Sequence, residues 1–110
     1  MELASEQHGD VTVVRPSGRL NMAAAPALRE VIGRCADAGP ARIVVDLAGV
    51  TFVYSSGLGA LISGLKTARQ SGGDLRIAAP TNQAATVLSL TNLDRVLRPF
   101  ATVEQAVDGW

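Results

Sequence analysis

The sequence predicts a small α/β domain with a mostly parallel sheet and an antiparallel first strand. Strand-like runs alternate with amphipathic segments from residue 11 onward, and that alternation implies parallel strands joined by right-handed crossovers. Arg42-Ile43-Val44-Val45-Asp46-Leu47 is a nearly continuous apolar run, the pattern of a strand covered on both faces. At the amino end, Leu3–Gln7 and Val11–Val14 are separated only by His8-Gly9-Asp10, a spacing that calls for a hairpin. With 110 residues the chain is expected to be one domain, 1–110, large enough to bury a core without disulfides or metal.

The elements follow in order. Leu3–Gln7 is a strand candidate, and Val11-Thr12-Val13-Val14 is a stronger one, β-branched throughout. Pro16-Ser17-Gly18 is expected to end or bend that strand, with Arg19-Leu20 resuming it. Asn21 is a candidate helix N-cap, and Pro26 falls early in the helix, where its missing N–H costs little. Leu28, Val31, Ile32 and Cys35 recur at spacings of three and four, one apolar helix face that stops near Gly39-Pro40.

After Arg42–Leu47, Ala48-Gly49 breaks the run and Val50-Thr51-Phe52-Val53 carries the chain to a pair of serines. Leu58, Leu61, Ile62, Leu65 and Ala68 again lie three and four apart, with Ser71-Gly72-Gly73 stopping the helix. Asp74–Ala79 alternates as a strand up to Pro80. Ala84–Leu90 is a short helix with Val87, Leu88 and Thr91 expected to face inward. Val96-Leu97 and Phe100 are expected to form a last short strand around Pro99, at a sheet edge. Thr102 is expected to cap a terminal helix.

Composition excludes several classes. Apolar residues make up 47% and aromatics 4%, so the core must be built from Val, Leu, Ile and Ala. Ten basic and ten acidic residues cancel, which argues against a nucleic-acid or membrane-surface binder. Cys35 is the one cysteine, so neither an intrachain disulfide nor a cysteine metal cluster is expected. The first residues lack the pattern of a signal peptide. No apolar stretch approaches the roughly 20 residues that cross a bilayer. A cytoplasmic protein without membrane insertion is the expectation.

The stretch that carries chemistry is Val53-Tyr54-Ser55-Ser56-Gly57-Leu58-Gly59. A nucleophile elbow needs Gly-x-Ser-x-Gly, and neither serine has the upstream glycine. His8, the single histidine, lies far away in sequence, so no base is in prospect and no catalytic residue is assigned. Gly57-Leu58-Gly59 begins like a dinucleotide fingerprint, but Ile62 occupies the third glycine position. Gly59–Thr67 falls short of a phosphate-binding loop because Leu65 separates Gly64 from Lys66. No cofactor is expected.

What remains is a serine pair at a helix start. Ser55 or Ser56 as N-cap is the plain reading, a contribution of about 1 kcal/mol. It leaves unexplained Gly57, Gly59 and Gly64, each costing about 1 kcal/mol against alanine inside a helix. Gly57 and Gly59 are expected to leave room for another protein to reach a hydroxyl, and Gly64 to let the helix approach the sheet. A phosphate here would meet free N–H groups and the positive end of the helix dipole, changing the surface and not the fold.

Ile43-Val44-Val45-Asp46-Leu47 followed by Val50–Gly59 resembles the signature of STAS domains, particularly the bacterial anti-sigma factor antagonists of the SpoIIAA-like group. Gly18-Arg19-Leu20-Asn21 is similar to the Gly-x-Leu-Asp segment after that family's second strand, and Leu93–Ala106 resembles its usual ending. The resemblance implies about five strands and about four helices. It also implies partner switching. An anti-sigma factor with serine kinase activity phosphorylates the serine before Gly-Leu-Gly, which is Ser56 here, with Ser55 the alternative. A PP2C-type phosphatase resets the switch.

Asn21, Tyr54, Ser55, Ser56, Gly57, Leu58 and Gly59 are the expected partner-binding residues. Tyr54 and Asn21 stand where the family commonly has aspartate, which lowers the negative charge around a phosphate. The second reading is an unmodified interaction subunit of an ABC-type lipid transport assembly or of a stressosome. Asp46 is expected to be a satisfied loop carboxylate, Cys35 to be packed, and Trp110 to dock or dangle.

Overall fold

The computed structural model describes residues 2–108 and Trp110. The strands are β1 (Glu2–His8), β2 (Val11–Leu20), β3 (Arg42–Asp46), β4 (Val50–Val53), β5 (Asp74–Ala78) and β6 (Pro99–Phe100). The helices are α1 (Ala25–Asp37), α2 (Ser55–Gln70), α3 (Asn82–Leu90) and α4 (Val103–Asp108), with a 3-10 turn at Leu93–Arg95. The predicted alternation therefore holds, with Val50–Val53 forming a strand of its own.

β1 and β2 pair antiparallel from Glu2↔Ser17 to His8↔Val11. Gly9, at φ +63°, makes the tight turn between them. Every other pairing is parallel, in the order β1-β2-β3-β5-β6, with β4 beside β2. The ten-residue β2 pairs β3 through Val11–Val14 and then β4 through Gly18–Leu20. Gly18 faces Val50 while Arg19 faces Phe52, leaving Thr51 as the extra residue of a bulge on β4.

The expected break at Pro16 does not end the strand. The Gly18 N–H bonds Gly49 O at 2.9 Å, so the Pro16 nitrogen, two residues earlier, faces the same edge. There β2 has left β3 and not yet met β4, and a missing donor costs no ladder bond.

Leu28, Ile32, Leu61, Leu65 and Leu88 from α1, α2 and α3 pack on one face of the sheet, against Val14, Ile43, Val45, Leu75 and Ile77. Val103 and Ala106 of α4 cover the other face over Val11, Val13, Val44 and Ala78. This two-sided cover explains the apolar run of β3, whose Ile43, Val44 and Val45 are all fully buried. Each such side chain contributes about 1.5–3 kcal/mol. On α1, Leu28 and Ile32 are buried while Val31 and Cys35 are half-buried, as the spacing predicts.

Three local expectations are corrected. Asn21 does not cap α1: the N-cap is Ala24, without a side-chain bond, and the Asn21 Oδ1 instead accepts from Ala23 N–H and Ala24 N–H at 3.1 and 3.2 Å. The chain makes an Asx-type turn there before the helix begins. Thr91 is exposed, because it is the C-cap of α3 and its hydroxyl donates back to Val87 O at 2.7 Å. Val96 and Leu97 follow the 3-10 turn and lie outside β6; Leu97 is buried while Val96 is exposed.

Thr102 caps α4 as expected, its Oγ1 accepting from Gln105 N–H at 3.1 Å. Asp46 is satisfied by Arg15 Nε at 3.2 Å and Ala48 N–H at 3.0 Å. Trp110 docks, with its ring 4.1 Å from the Arg76 guanidinium carbon. Among the described residues, no helix is long and apolar enough to cross a membrane.

Candidate functional site

The serine turn sits at the carboxyl ends of two neighbouring parallel strands, β2 and β4. Val53 is buried, and the next residue, Tyr54, is extended at φ −93° and ψ 166° before α2 starts at Ser55. The Tyr54 N–H donates to Leu20 O at 3.0 Å, and the Tyr54 carbonyl accepts from Leu58 N–H at 2.9 Å. Tyr54 is thus the N-cap, and no side chain caps the helix. The expectation of a serine cap is corrected: Ser55 and Ser56 are the first two residues inside the helix. Their N–H groups and that of Gly57 have no acceptor within the helix and lie at its positive end. Ser55 is exposed and Ser56 half-buried.

The glycines do three different things. A β-carbon on Gly57 would overlap Leu20 O and come within 2.8 Å of Leu20 Cγ. Gly57 is therefore buried and lets the first turn of α2 rest on the end of β2, so it opens no access to a hydroxyl. Leu58 is also buried, at 8% exposure, and its side chain belongs to the core and not to a contact surface. Gly59 is exposed, with nothing within 4 Å of the position of a β-carbon. Gly64 faces mainly α1: a β-carbon would overlap Ile32 Cδ1 and lie 3.3 Å from Leu75 Cδ1 of β5.

Asn21 comes next to this turn because Leu20, its neighbour, accepts from Tyr54 N–H and touches Gly57. On the outer face of β4, the rings of Phe52 and Tyr54 lie 4.7 Å apart and tilted by 50°. Both are exposed, and Arg19 is in register with Phe52 on β2. Sequence reasoning missed Phe52 and Arg19. The two-residue spacing of Phe52 and Tyr54 is the signal that could have found the pair.

It also missed Gln83, in the first turn of α3. The Val53 N–H donates to Gln83 Oε1 at 2.8 Å, and Gln83 Nε2 donates to Val53 O at 3.2 Å.

His8, at the far end of the sheet, bonds Glu6 at 2.7 Å, and among the described residues no group of three or more His, Cys, Asp or Glu could hold a metal ion. The larger cleft, about 700 Å³, lies between β1 and α1 beside Gln7, Thr12 and Cys35. A smaller one of about 290 Å³ adjoins Arg19 and Asn21. Tyr54, Asn21 and the serines carry no carboxylate, so an anion placed at the turn meets the helix end without opposing charge from these residues.

The chain matches the STAS domain family over residues 2–106. It belongs to the STAS family. Among STAS relatives, the anti-sigma-F factor antagonist RsfB of Mycobacterium tuberculosis is 30% identical over 93% of this chain and 83% of its own length. The solved Thermotoga maritima protein TM1081 superposes with a TM-score of 0.88, at 28% identity, covering 97% of this chain and 92% of its own. Unphosphorylated SpoIIAA shares the STAS fold at a TM-score of 0.83 and 22% identity, over 97% of this chain and 94% of its own.

Proposed function

We propose that this STAS domain is an anti-sigma factor antagonist whose binding is switched by phosphorylation of Ser56. The observation that carries the proposal is the uncapped first turn of α2, in which Ser56 is the second residue and the N–H groups of Ser55, Ser56 and Gly57 have no acceptor within the helix. A phosphoryl group there gains charge-assisted hydrogen bonds and the helix dipole. Support for the antagonist role, though not for the phosphorylation, also comes from RsfB, a relative named as an anti-sigma-F factor antagonist.

In this scheme the unmodified domain binds an anti-sigma factor with serine kinase activity and frees a sigma factor. The kinase then uses ATP: the Ser56 oxygen bonds the γ-phosphorus, the bond to ADP breaks, and the hydroxyl proton leaves to a base of the kinase. The added charge of nearly −2 at neutral pH disrupts the interface, and a PP2C-type phosphatase hydrolyses the ester. This domain supplies the surface and the acceptor and performs no catalysis. Asn21, Tyr54, Ser55, Ser56 and Gly59 present that surface, while Gly57 and Leu58 support it from within.

The test is phosphorylation by a cognate serine kinase with ATP, read by intact mass and peptide mapping. One phosphate is expected on the wild type and on Ser55→Ala, and none on Ser56→Ala. Stoichiometric phosphate on Ser56→Ala would overturn the site. Ser56→Asp is expected to weaken binding to the kinase, and undiminished affinity would count against the switch. A protein that is never phosphorylated in cells and co-purifies with an ABC-type ATPase would favour the transport-subunit reading.

A further inference from the structure

We infer that Gln83 is a positioning residue that sets how Ser56 is presented, so that the start of α3 governs the serine turn. The role of Ser56 rests on the function proposed above; the geometry of the latch does not. Among the described residues, β4 has a strand on one side only, since it pairs β2 alone. Tyr54 sends its N–H toward β2, to Leu20 O. Neighbouring residues of a strand point their backbone groups to opposite edges, so Val53 N–H and C=O point to the edge that has no strand.

Val53 is only 3% exposed, so water does not reach those groups freely, and unmet backbone groups in such a place are strongly disfavoured. The Gln83 side chain fills the gap. Its carboxamide accepts from Val53 N–H and donates to Val53 O, standing in for one residue of a missing strand. An amide is the side-chain group that offers a donor and an acceptor at neighbouring positions.

Gln83 is held firmly enough to act as a reference point. Thr81 caps α3, with Oγ1 accepting from Ala84 N–H at 3.4 Å, and Ala84 and Leu88 are buried. On the other side, Val53 precedes Ser56 by three residues, through the extended Tyr54. The direction in which α2 leaves β4 is therefore fixed at Val53 from two sides, by Leu20 through Tyr54 and by Gln83 directly.

The test is amide NMR and hydrogen exchange on Gln83→Leu and Gln83→Glu, with Leu88→Ala as a control that weakens α3 but leaves the latch. Gln83→Leu is expected to shift the amides of Val53, Tyr54, Ser55 and Ser56 and to speed Val53 exchange about tenfold relative to the wild type. In Gln83→Glu the shifts should return toward wild type as the carboxyl is protonated, because only the acid form both donates and accepts. Gln83→Leu should show no such pH-dependent rescue. Wild-type-like shifts and exchange in Gln83→Leu, or equal shifts at these amides in Leu88→Ala, would overturn the inference.

A serine kinase adds a second arm. Gln83→Leu is expected to lower kcat/KM for Ser56 about fivefold or more, a loss of presentation that Leu88→Ala does not reproduce. Moved amides with undiminished kcat/KM would overturn governance of Ser56 by the latch. Moved amides with a wild type that no kinase modifies would instead sink the proposed function and leave the structural latch standing.

Discussion

Gly57 lies so close to Leu20 that no side chain fits between the first turn of α2 and the end of β2. The obstacle is a backbone carbonyl oxygen, already bonded to Tyr54 N–H, and it cannot swing aside as a side chain would. Gly57→Ala is expected to destabilise by about 3 kcal/mol, the upper end for overpacking. Gly59→Ala, with open space around it, is expected to stabilise by about 0.5–1 kcal/mol. Urea unfolding measures both, and equal effects of the two substitutions would refute the close approach.

A negative charge on residue 56 should leave the fold intact. Ser56 is the second residue of α2, where the helix end is positive, and Ser56→Asp is expected to add about 0.3–1 kcal/mol at low salt. Ser56→Lys should lose a similar amount. Thermal melts in low and high salt check this, since high salt should shrink both changes. A loss of several degrees in Ser56→Asp would mean that the turn does not accommodate a charge.

Acid should act through Glu6. The Arg15 guanidinium, and after it His8, hold the Glu6 carboxyl below its ordinary value. A depressed folded-state pKa means stability that is present above the unfolded carboxyl value and is lost as pH falls through the folded one. Glu6→Gln is therefore expected to flatten the fall in stability on acidification, measured by urea unfolding at stepped pH. Because the pair is exposed to solvent, the difference should be small and should fade in salt. A steeper acid loss in Glu6→Gln would contradict the sign.

Arg76 fastens the end of the chain. Its guanidinium carbon lies 5.3 Å from the Phe100 ring centroid and 4.1 Å from that of Trp110, and its Nη1 donates to Ala106 O at 2.9 Å. Arg76→Ala is expected to cost about 1–2 kcal/mol. Trp110 is the single tryptophan, so its emission should shift to the red as it gains water. Unaltered emission would show that Trp110 does not depend on the stack.

The order of strands and helices is legible in the sequence because burial imposes its period directly. Leu28 and Ile32 on α1, and Leu61, Leu65 and Ala68 on α2, are buried where their spacing places them. β4 is harder to see, since a bulge at Thr51 breaks its alternation after one residue. The serines are conspicuous as a motif, but their place one step inside the helix depends on Tyr54, whose N–H is fixed by a residue 34 positions earlier, Leu20.

Gly57 and Gly59 look alike in the sequence and differ in the fold, because one meets a strand end and the other meets solvent. Gln83 carries no local signal at all. A polar residue in the first turn of a short helix is unremarkable until a buried strand edge is found beside it.

The long β2 has a kinetic consequence. It bonds β1, β3 and β4, and only its pairing with β1 closes a short loop. Val11↔Arg42 and Gly18↔Val50 each join residues more than 30 positions apart, so chain closure precedes any gain from those ladders. The seat of Ser56 requires the second of them, since Leu20 must already lie beside Val53 and Gly57. A nascent or unfolded chain thus carries the serines without their display, so under the proposed function a kinase that reads this surface would act only after β2 and β4 have paired.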